Sequence, residues 1–440
     1  MLNISLRQRL IADSTWAFSA KLLTGIAQVV VGILLAKILT PHDFGQFQVI
    51  QRIILLGAVL GSLGMGWVIV RKVAEGVAHE KTSDSYYAAL RIFQIVAIAS
   101  LLVAIVFWAV GDEIAQHAFN LPLKGMIFII GLCIILLSIQ QIAPECFRGM
   151  HEIKYASIFS GVSLNLIFVL MLAISSMLLE KSSLMYSVQL YFIASLLTVI
   201  ASLAFLYRMM SGLKGLGSET HGIVLDALKI GTPLLATTLL TYTITQADVM
   251  IVAAYFSAES AAYYAASSRL IIMLTVPLMV MNAVIKPIVV QLLAKNEKIR
   301  LESYLRKVAN VTLSISFIPA VFILLWPEII LSLLFGDFYR QGAEVLRILT
   351  VAQLTTLILG PCSILIVMAG RQKQLMKFTT YGALVYLLSV LFMSERIGVE
   401  GVALSVVIGT MTSQGLIAWD CYKNLGINTS VGLVRKKRGQ

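Results

Sequence analysis

The sequence predicts an all-α integral membrane fold of about 12 transmembrane helices, in two parallel six-helix repeats around a central cavity. Three observations predict it. The composition suits no water-soluble core, basic residues alternate from loop to loop, and the two halves repeat at an offset of 217 positions.

Composition comes first. Hydrophobic residues fill 59% of the 440 positions and charged residues only 13%. An average soluble domain carries about 25% charged residues. Lipid must therefore be the solvent for most of this surface. At roughly 20–25 residues per span, the chain has room for about a dozen helices, short loops and no separate soluble domain. The net charge of +12 would suggest nucleic acid in a soluble protein. Here the loops account for it, and no nucleic-acid role is expected. Cys133, Cys146, Cys362 and Cys421 all lie in apolar stretches, without metal spacing or a disulfide framework, and read as small core residues. The first apolar stretch runs to Leu39, too long for a signal-peptide core, so no cleavable signal is expected.

Apolar runs fall at 15–39, 44–70, 86–110, 123–146, 155–179, 184–207, 229–255, 261–293, 308–335, 343–369, 376–395 and 398–422. Turn residues punctuate them, among them Thr40-Pro41-His42-Asp43, Gly111-Asp112 and Gly370-Arg371. With the N-terminal side taken as inside, the inner segments hold 23 basic residues, from Arg7 and Arg9 through Lys81 and Lys214 to Arg435-Lys436-Lys437-Arg438. The outer segments hold six: Lys37, Lys124, Lys181, Arg340, Arg347 and Arg396. This bias places both termini in the cytoplasm of a multi-pass inner-membrane protein. The basic tail reads as an anchor to membrane lipids.

The repeat aligns Ala36–Ile53 with Ala253–Leu270 without gaps. Few residues are identical. The useful matches are the outer loop, the aromatic pair Phe47 and Tyr264, and the pair Arg52 and Arg269. Gly149 and Gly370 also occupy equivalent inner loops. The expected units are 1–214 and 215–440, related by an axis along the membrane normal.

Ionisable groups inside spans are expensive and normally face a cavity. Here they are Lys21, Arg52, Arg91, Asp248, Arg269 and Lys286, with Glu145 near an inner end. Arg52 lies roughly 12 Å below the outer end of its span at helical rise, and Arg269 matches it. The pair suits an anion, because guanidinium presents a fork to phosphate oxygens. A structural ion pair, or snorkelling to the surface, is the competing explanation. Asp248 either neutralises Arg269 or carries a proton or cation. Thr238, Thr241, Thr245 and Asp248 share one helix face. Their counterparts at the repeat offset are Lys21, Thr24, Gln28 and Val31. Hydroxyls that bond back to their own helix would explain the threonines but not Lys21 or Asp248. Lys286 lies beside Pro277 and Pro287, which can kink its helix, and either lines the cavity or snorkels. Arg91 reads as snorkelling, and Glu145 with Arg148 as interfacial. No P-loop, HExxH or GxSxG motif is present, so no catalytic residue, metal or cofactor is expected.

The stretch from Ala36 to Phe47, following a helix that begins near Trp16, resembles the first helix pair of Wzx-type oligosaccharide flippases. These belong to the MOP (multidrug/oligosaccharidyl-lipid/polysaccharide) superfamily. Gly231-Thr232-Pro233, Ala247-Asp248, Tyr263-Tyr264 and Arg269 resemble the start of that family's second half. The stretch from Arg396 to Ala403 resembles its last hairpin. The resemblance implies flipping of undecaprenyl-pyrophosphate-linked repeat units, of O-antigen or another surface polysaccharide, driven by a proton or sodium gradient. It implies Arg52, Arg269, Lys21, Lys286, Gln28, Thr241 and Thr245 as cavity residues for pyrophosphate and sugar, and Asp248 as the ion-coupling residue. A polysaccharide polymerase and a chain-length regulator are the implied protein partners, and a monomer is expected. The sequence departs from a symmetric pattern at Val31, where Asp248 has no acidic counterpart.

The main alternative is a cation-coupled multidrug exporter of the MATE type. Such a pump should line its cavity with carboxylates, and this chain has one clear acid among several bases. A peptidoglycan-precursor flippase usually has two further helices. A membrane-embedded glycosyltransferase would need a large outer loop and catalytic carboxylates.

Overall fold

A computed structural model describes residues 2–78, 82–123, 125–178, 182–211 and 223–432. Lys81, Lys124, Lys181, Lys214, the Arg435–Arg438 tail and the expected boundary at 214/215 lie outside the described residues. Every regular element among the described residues is helical, and 12 helices are long and apolar enough to cross a membrane. The first half runs α1 (Leu2–Ile38), α2 (Pro41–Ser62), α3 (Met65–Ala78), α4 (Thr82–Phe119), α5 (Ile127–Gly149), α6 (Ile153–Ser157), α7 (Ser163–Leu178) and α8 (Leu184–Ser211). The second runs α9 (Ile223–Tyr255), α10 (Ala258–Ala294), α11 (Lys298–Leu325), α12 (Pro327–Phe335), α13 (Ala343–Leu359), α14 (Cys362–Met368), α15 (Gln372–Ile397) and α16 (Val399–Asp420).

Four expected spans are broken, each for a local reason, the run 155–179 at Ser160-Gly161 among them. The run 44–70 divides at Leu63 (φ 48°) and Gly64 (φ 70°), so α3 is a helix of its own. The run 308–335 divides at Trp326-Pro327, since proline excludes its predecessor from the α region. The run 343–369 divides at Gly360-Pro361.

The offset of 217 returns in the element boundaries. α1 ends at Ile38 and α9 at Tyr255; α2 begins at Pro41 and α10 at Ala258. Pro144, inside α5, corresponds to Pro361. The fold thus contains two repeats. Packing groups the chain into two units, Met1–Tyr242 with Ser257–Glu259, and Thr243–Phe256 with Ser260–Gln440.

In the first unit, α2 starts from a built cap. Thr40 is extended, its side chain accepts from the Asp43 amide, and Pro41 supplies the first helical residue. The turns that follow are buried without interruption from Phe44 to Ile50. Phe47 packs on Phe168 and Tyr191, with ring centroids 6.1 and 6.2 Å away. α5 packs against α2, α3, α4 and α8. Lipid tails are as apolar as leucine, so helix association relies on close contact and small residues. Gly57 accordingly lies against Ile134, and Gly61 against Ser138 and Ser100.

In the second unit, α15 and α16 form a hairpin that turns at Gly398 (φ 81°). Gly382 and Gly409 let the two backbones touch, and a Cβ on Gly409 would stand 2.6 Å from Cβ of Tyr386. The segment after α16 folds back on its own unit. The Thr429 hydroxyl donates to the Leu359 carbonyl at 2.8 Å, and the Val431 amide donates to the Ile358 carbonyl at 2.9 Å. The backbone groups released by the Gly360-Pro361 break are bonded in this way, as a low-dielectric setting requires.

The Leu63-Gly64 turn also sets the position of α9, because a Cβ on Gly231 would lie 2.6 Å from the Leu63 carbonyl oxygen. Gly231→Val should therefore destabilise the detergent-purified protein by roughly 1–3 kcal/mol through overpacking. Gly415→Ala should not, because no atom lies within 4 Å of that Cβ position. Thermal unfolding checks this, and equal melting of the two variants would contradict the packing described.

Candidate functional site

Lys21, Gln28, Arg52 and Thr241 stand in the first unit; Thr245, Asp248, Arg269 and Lys286 stand in the second. On α1, Lys21 is exposed while Thr24 and Gln28 are half-buried. The Thr24 hydroxyl donates to the Ala20 carbonyl at 2.7 Å. On α2, Arg52 is half-buried, and Gln48, one turn earlier, is fully buried. The Tyr242 hydroxyl of α9 donates to the Arg52 carbonyl at 2.7 Å, which ties this turn of α2 to α9.

The threonine stripe on α9 divides into two parts. Thr238 and Thr241 are exposed and donate to the carbonyls four residues back, Leu234 at 2.9 Å and Thr237 at 3.0 Å. Such bonds satisfy the hydroxyls inside their own helix. Asp248 differs: it is 7% exposed, and Arg269 on α10 is 8% exposed. Both engage neighbouring groups, as do Lys21, Gln28, Arg52, Thr241 and Thr245. Asp248 also acts electrostatically on the fully buried Tyr386 of α15. Tyr264, the counterpart of Phe47, is fully buried as well. Lys286 is exposed.

Sequence reasoning missed a second polar locus in the first unit. Between α6 and α7 the helix unwinds at Ser160 (φ −81°, ψ 22°) and Gly161 (φ 133°). Side-chain amides take over the released carbonyls. Gln140 of α5 donates to Phe159, and Asn165 donates to Gly161 at 2.7 Å. A Cβ at Gly161 would lie 3.4 Å from the Thr24 methyl, so the break sits beside the polar face of α1. The available signal was the amides of Gln140, beside Gln141, and of Asn165 within apolar runs. Discontinuous spans of this kind recur at transport sites.

Two ion pairs were also illegible in the sequence. His42 Nδ1 lies 2.7 Å from Glu259 Oε1, and these residues are 217 apart, at matching places in the first turns of α2 and α10. In the second unit, Arg371 Nη2 donates to Asp420 Oδ1 at 3.0 Å, and Asn424 donates to the same oxygen at 2.8 Å. Arg148 pairs with Glu145, as expected for an interfacial couple. Among the described residues, no three His, Cys, Asp or Glu side chains gather as metal ligands.

The arrangement offers guanidinium and ammonium groups, neutral amides and one buried carboxylate. Groups of these kinds can hold anions and hydroxyls reversibly. The family model for polysaccharide biosynthesis proteins matches residues 10–293, well over half of the chain. The chain belongs to that family. A MatE family model matches residues 233–393. Among solved structures, a multidrug resistance MATE family transporter of the MOP superfamily in an inward-facing conformation superposes with TM-score 0.74 at 13% identity, covering 91% of this chain and 95% of that one. The lipid II flippase MurJ, inward closed, gives 0.73 at 16% identity, covering 92% and 87%. An outward-facing MATE transporter gives 0.63 at 13% identity, covering 92% and 93%. These likenesses show a fold shared with MOP-superfamily transporters. No curated protein matches the chain significantly.

The Arg371–Asp420 pair is lopsided, since the Arg371 side chain is 25% exposed and that of Asp420 only 4%. Arg371→Gln would strand a buried carboxylate and should cost about 3 kcal/mol. Asp420→Asn should cost less, because the arginine can reach water. The double variant should melt above Arg371→Gln alone. Detergent-based thermal unfolding measures all three, and the reverse order would rule out the pair as described.

Proposed function

We propose that this protein carries polyprenyl-diphosphate-linked oligosaccharides, undecaprenyl in a bacterium, from the cytoplasmic to the periplasmic face of the inner membrane. Membership of the polysaccharide biosynthesis family carries the reading, because it favours a glycan-linked substrate within a fold that also serves drug export. The side chains agree with it. Lys21, Arg52, Arg269 and Lys286 place positive charge along the spans, where a diphosphate and acidic sugars need it. Gln28, Thr241 and Thr245 would meet sugar hydroxyls while the prenyl tail stays in lipid. Asp248, buried in the second unit with Arg269, is the group we assign to coupling with a proton or sodium gradient. Movement would be by alternating access with both termini cytoplasmic. A polymerase and a chain-length regulator would use the product, O-antigen or another surface glycan.

A second reading, cation-coupled drug export, draws support from the MatE match over residues 233–393. A cation-binding cavity needs carboxylates, and Asp248 stands against several bases.

Complementation of a deletion strain separates the readings. Arg52→Ala with Arg269→Ala should abolish surface polysaccharide at normal membrane abundance. Full activity in this double variant would sink the anion-binding assignment. Replacing Asp248 and Arg269 together by neutral residues should be no milder than replacing Arg269 alone if Asp248 couples the ion. A milder double variant would reduce Asp248 to a structural counter-ion. Unchanged glycan together with lost drug resistance would favour export.

A further inference from the structure

α9 is held against α2 at two places, and both lie within the first unit, to which packing assigns α9 as far as Tyr242. At one, the Tyr242 hydroxyl donates to the Arg52 carbonyl at 2.7 Å. At the other, Gly231 meets the end of α2. A Cβ on Gly231 would stand 2.6 Å from the Leu63 carbonyl oxygen, and one on Gly64 would stand 2.8 Å from the Leu235 amide nitrogen. The two backbones touch there because neither glycine carries a side chain.

The two contacts are in register. Tyr242 lies 11 residues beyond Gly231, and Leu63 lies 11 residues beyond Arg52. That spacing is about three helical turns, so both contacts fall on one face of each helix. The order reverses from one helix to the other, so the helices run antiparallel. α9 is thus pinned to α2 at both ends of this stretch, and Arg52 marks one of the pins. Two pins fix what one leaves free, sliding along the axis and rotation about it. A shift of one residue would turn the side chains of α2 through about 100°. The pins therefore set the depth and direction in which the Arg52 side chain leaves its helix.

Tyr242 supplies the pin at the charged end. Its side chain is buried, and a buried phenol in hydrocarbon needs a partner. A helix carbonyl can serve, so a bond that only satisfies the hydroxyl is the competing explanation. The choice of carbonyl argues for more. Arg52 is the only Arg or Lys of α2. The helix that holds it is the one that carries Thr241 and, six residues beyond Tyr242, Asp248. A guanidinium grips a pair of phosphate oxygens only when its fork is aimed at them, and the aim comes from the groups that support it.

We propose that Tyr242 is a positioning residue for the diphosphate site: its hydroxyl, through the Arg52 carbonyl, aims the Arg52 side chain at the phosphate oxygens. This rests on the reading of Arg52 as a diphosphate ligand. Binding of undecaprenyl diphosphate to the purified full chain is titrated in detergent, with undecaprenol as the uncharged control. Tyr242→Phe removes only the hydroxyl and should weaken diphosphate binding about fivefold, the share of one hydrogen bond. Undecaprenol binding should not change. In an Arg52→Ala background, Tyr242→Phe should cost nothing further, because no guanidinium remains to be aimed. A bond that only satisfies the phenol gives another pattern. Diphosphate binding is then equal in wild type and Tyr242→Phe, or falls by the same factor with and without Arg52, and either result overturns the proposal. If Arg52→Ala alone binds diphosphate as wild type does, the reading of Arg52 fails and the proposal falls with it. Thermal unfolding checks that each variant folds. If Tyr242→Phe does not, Gly231→Ala decides, since its Cβ parts the helices at the other pin. A loss of diphosphate binding that depends on Arg52 is expected, and unchanged binding or a loss independent of Arg52 refutes the assignment.

Discussion

In a bilayer, a backbone amide or carbonyl that leaves a helix finds no water to bond with, and each such group left alone costs several kcal/mol. The fold follows from that constraint. Most of the chain obeys it by remaining helical from one membrane face to the other. At two places where it unwinds, specific groups close the gap. At Ser160-Gly161 the closing groups are the amides of Gln140 and Asn165. At Gly360-Pro361 they are Thr429 and Val431 of the returning C-terminal segment. The two solutions lie in different spans of the two repeats, so the repeats share a frame but not their irregularities.

The same divergence runs through the polar positions. Pro144 and Pro361 occupy equivalent places, yet α5 stays continuous while the second-half span divides. Val31 and Asp248 are equivalent and both buried, one apolar and one charged. His42 and Glu259 are equivalent and hydrogen-bonded to each other, although no local pattern marks them as a pair. The repeat supplies a common scaffold, and different residues at matched positions give each half its own chemistry.

Spans, repeat and family could be read from the sequence because they rest on averages over many residues: hydropathy over about twenty positions, basic residues summed over loops, a register shared by long segments. The α2–α3 break escaped because Leu63, a residue with no turn preference, adopts φ 48°, and its carbonyl packs against Gly231, far along the chain. The roles of Gln140 and Asn165 were hidden because their partners are backbone carbonyls, which no side-chain pattern reveals. The Arg371–Asp420 pair spans 49 positions and two elements, so only packing brings it together. The threonines of α9 were legible but ambiguous, and the hydroxyls of Thr238 and Thr241 bond to their own helix.

The account's central claim is that charge placed along the spans serves a lipid-linked anion, not a cationic drug. Reconstitution tests it most directly. The purified protein is placed in vesicles loaded with a polyprenyl-diphosphate-linked oligosaccharide, an ion gradient is imposed, and a membrane-impermeant glycosidase reports the exposure of sugar on the far face. The account predicts gradient-dependent exposure in the native protein, lost when Arg52 and Arg269 are neutralised. Exposure no greater than in protein-free vesicles, alongside gradient-dependent uptake of a cationic dye, would contradict it.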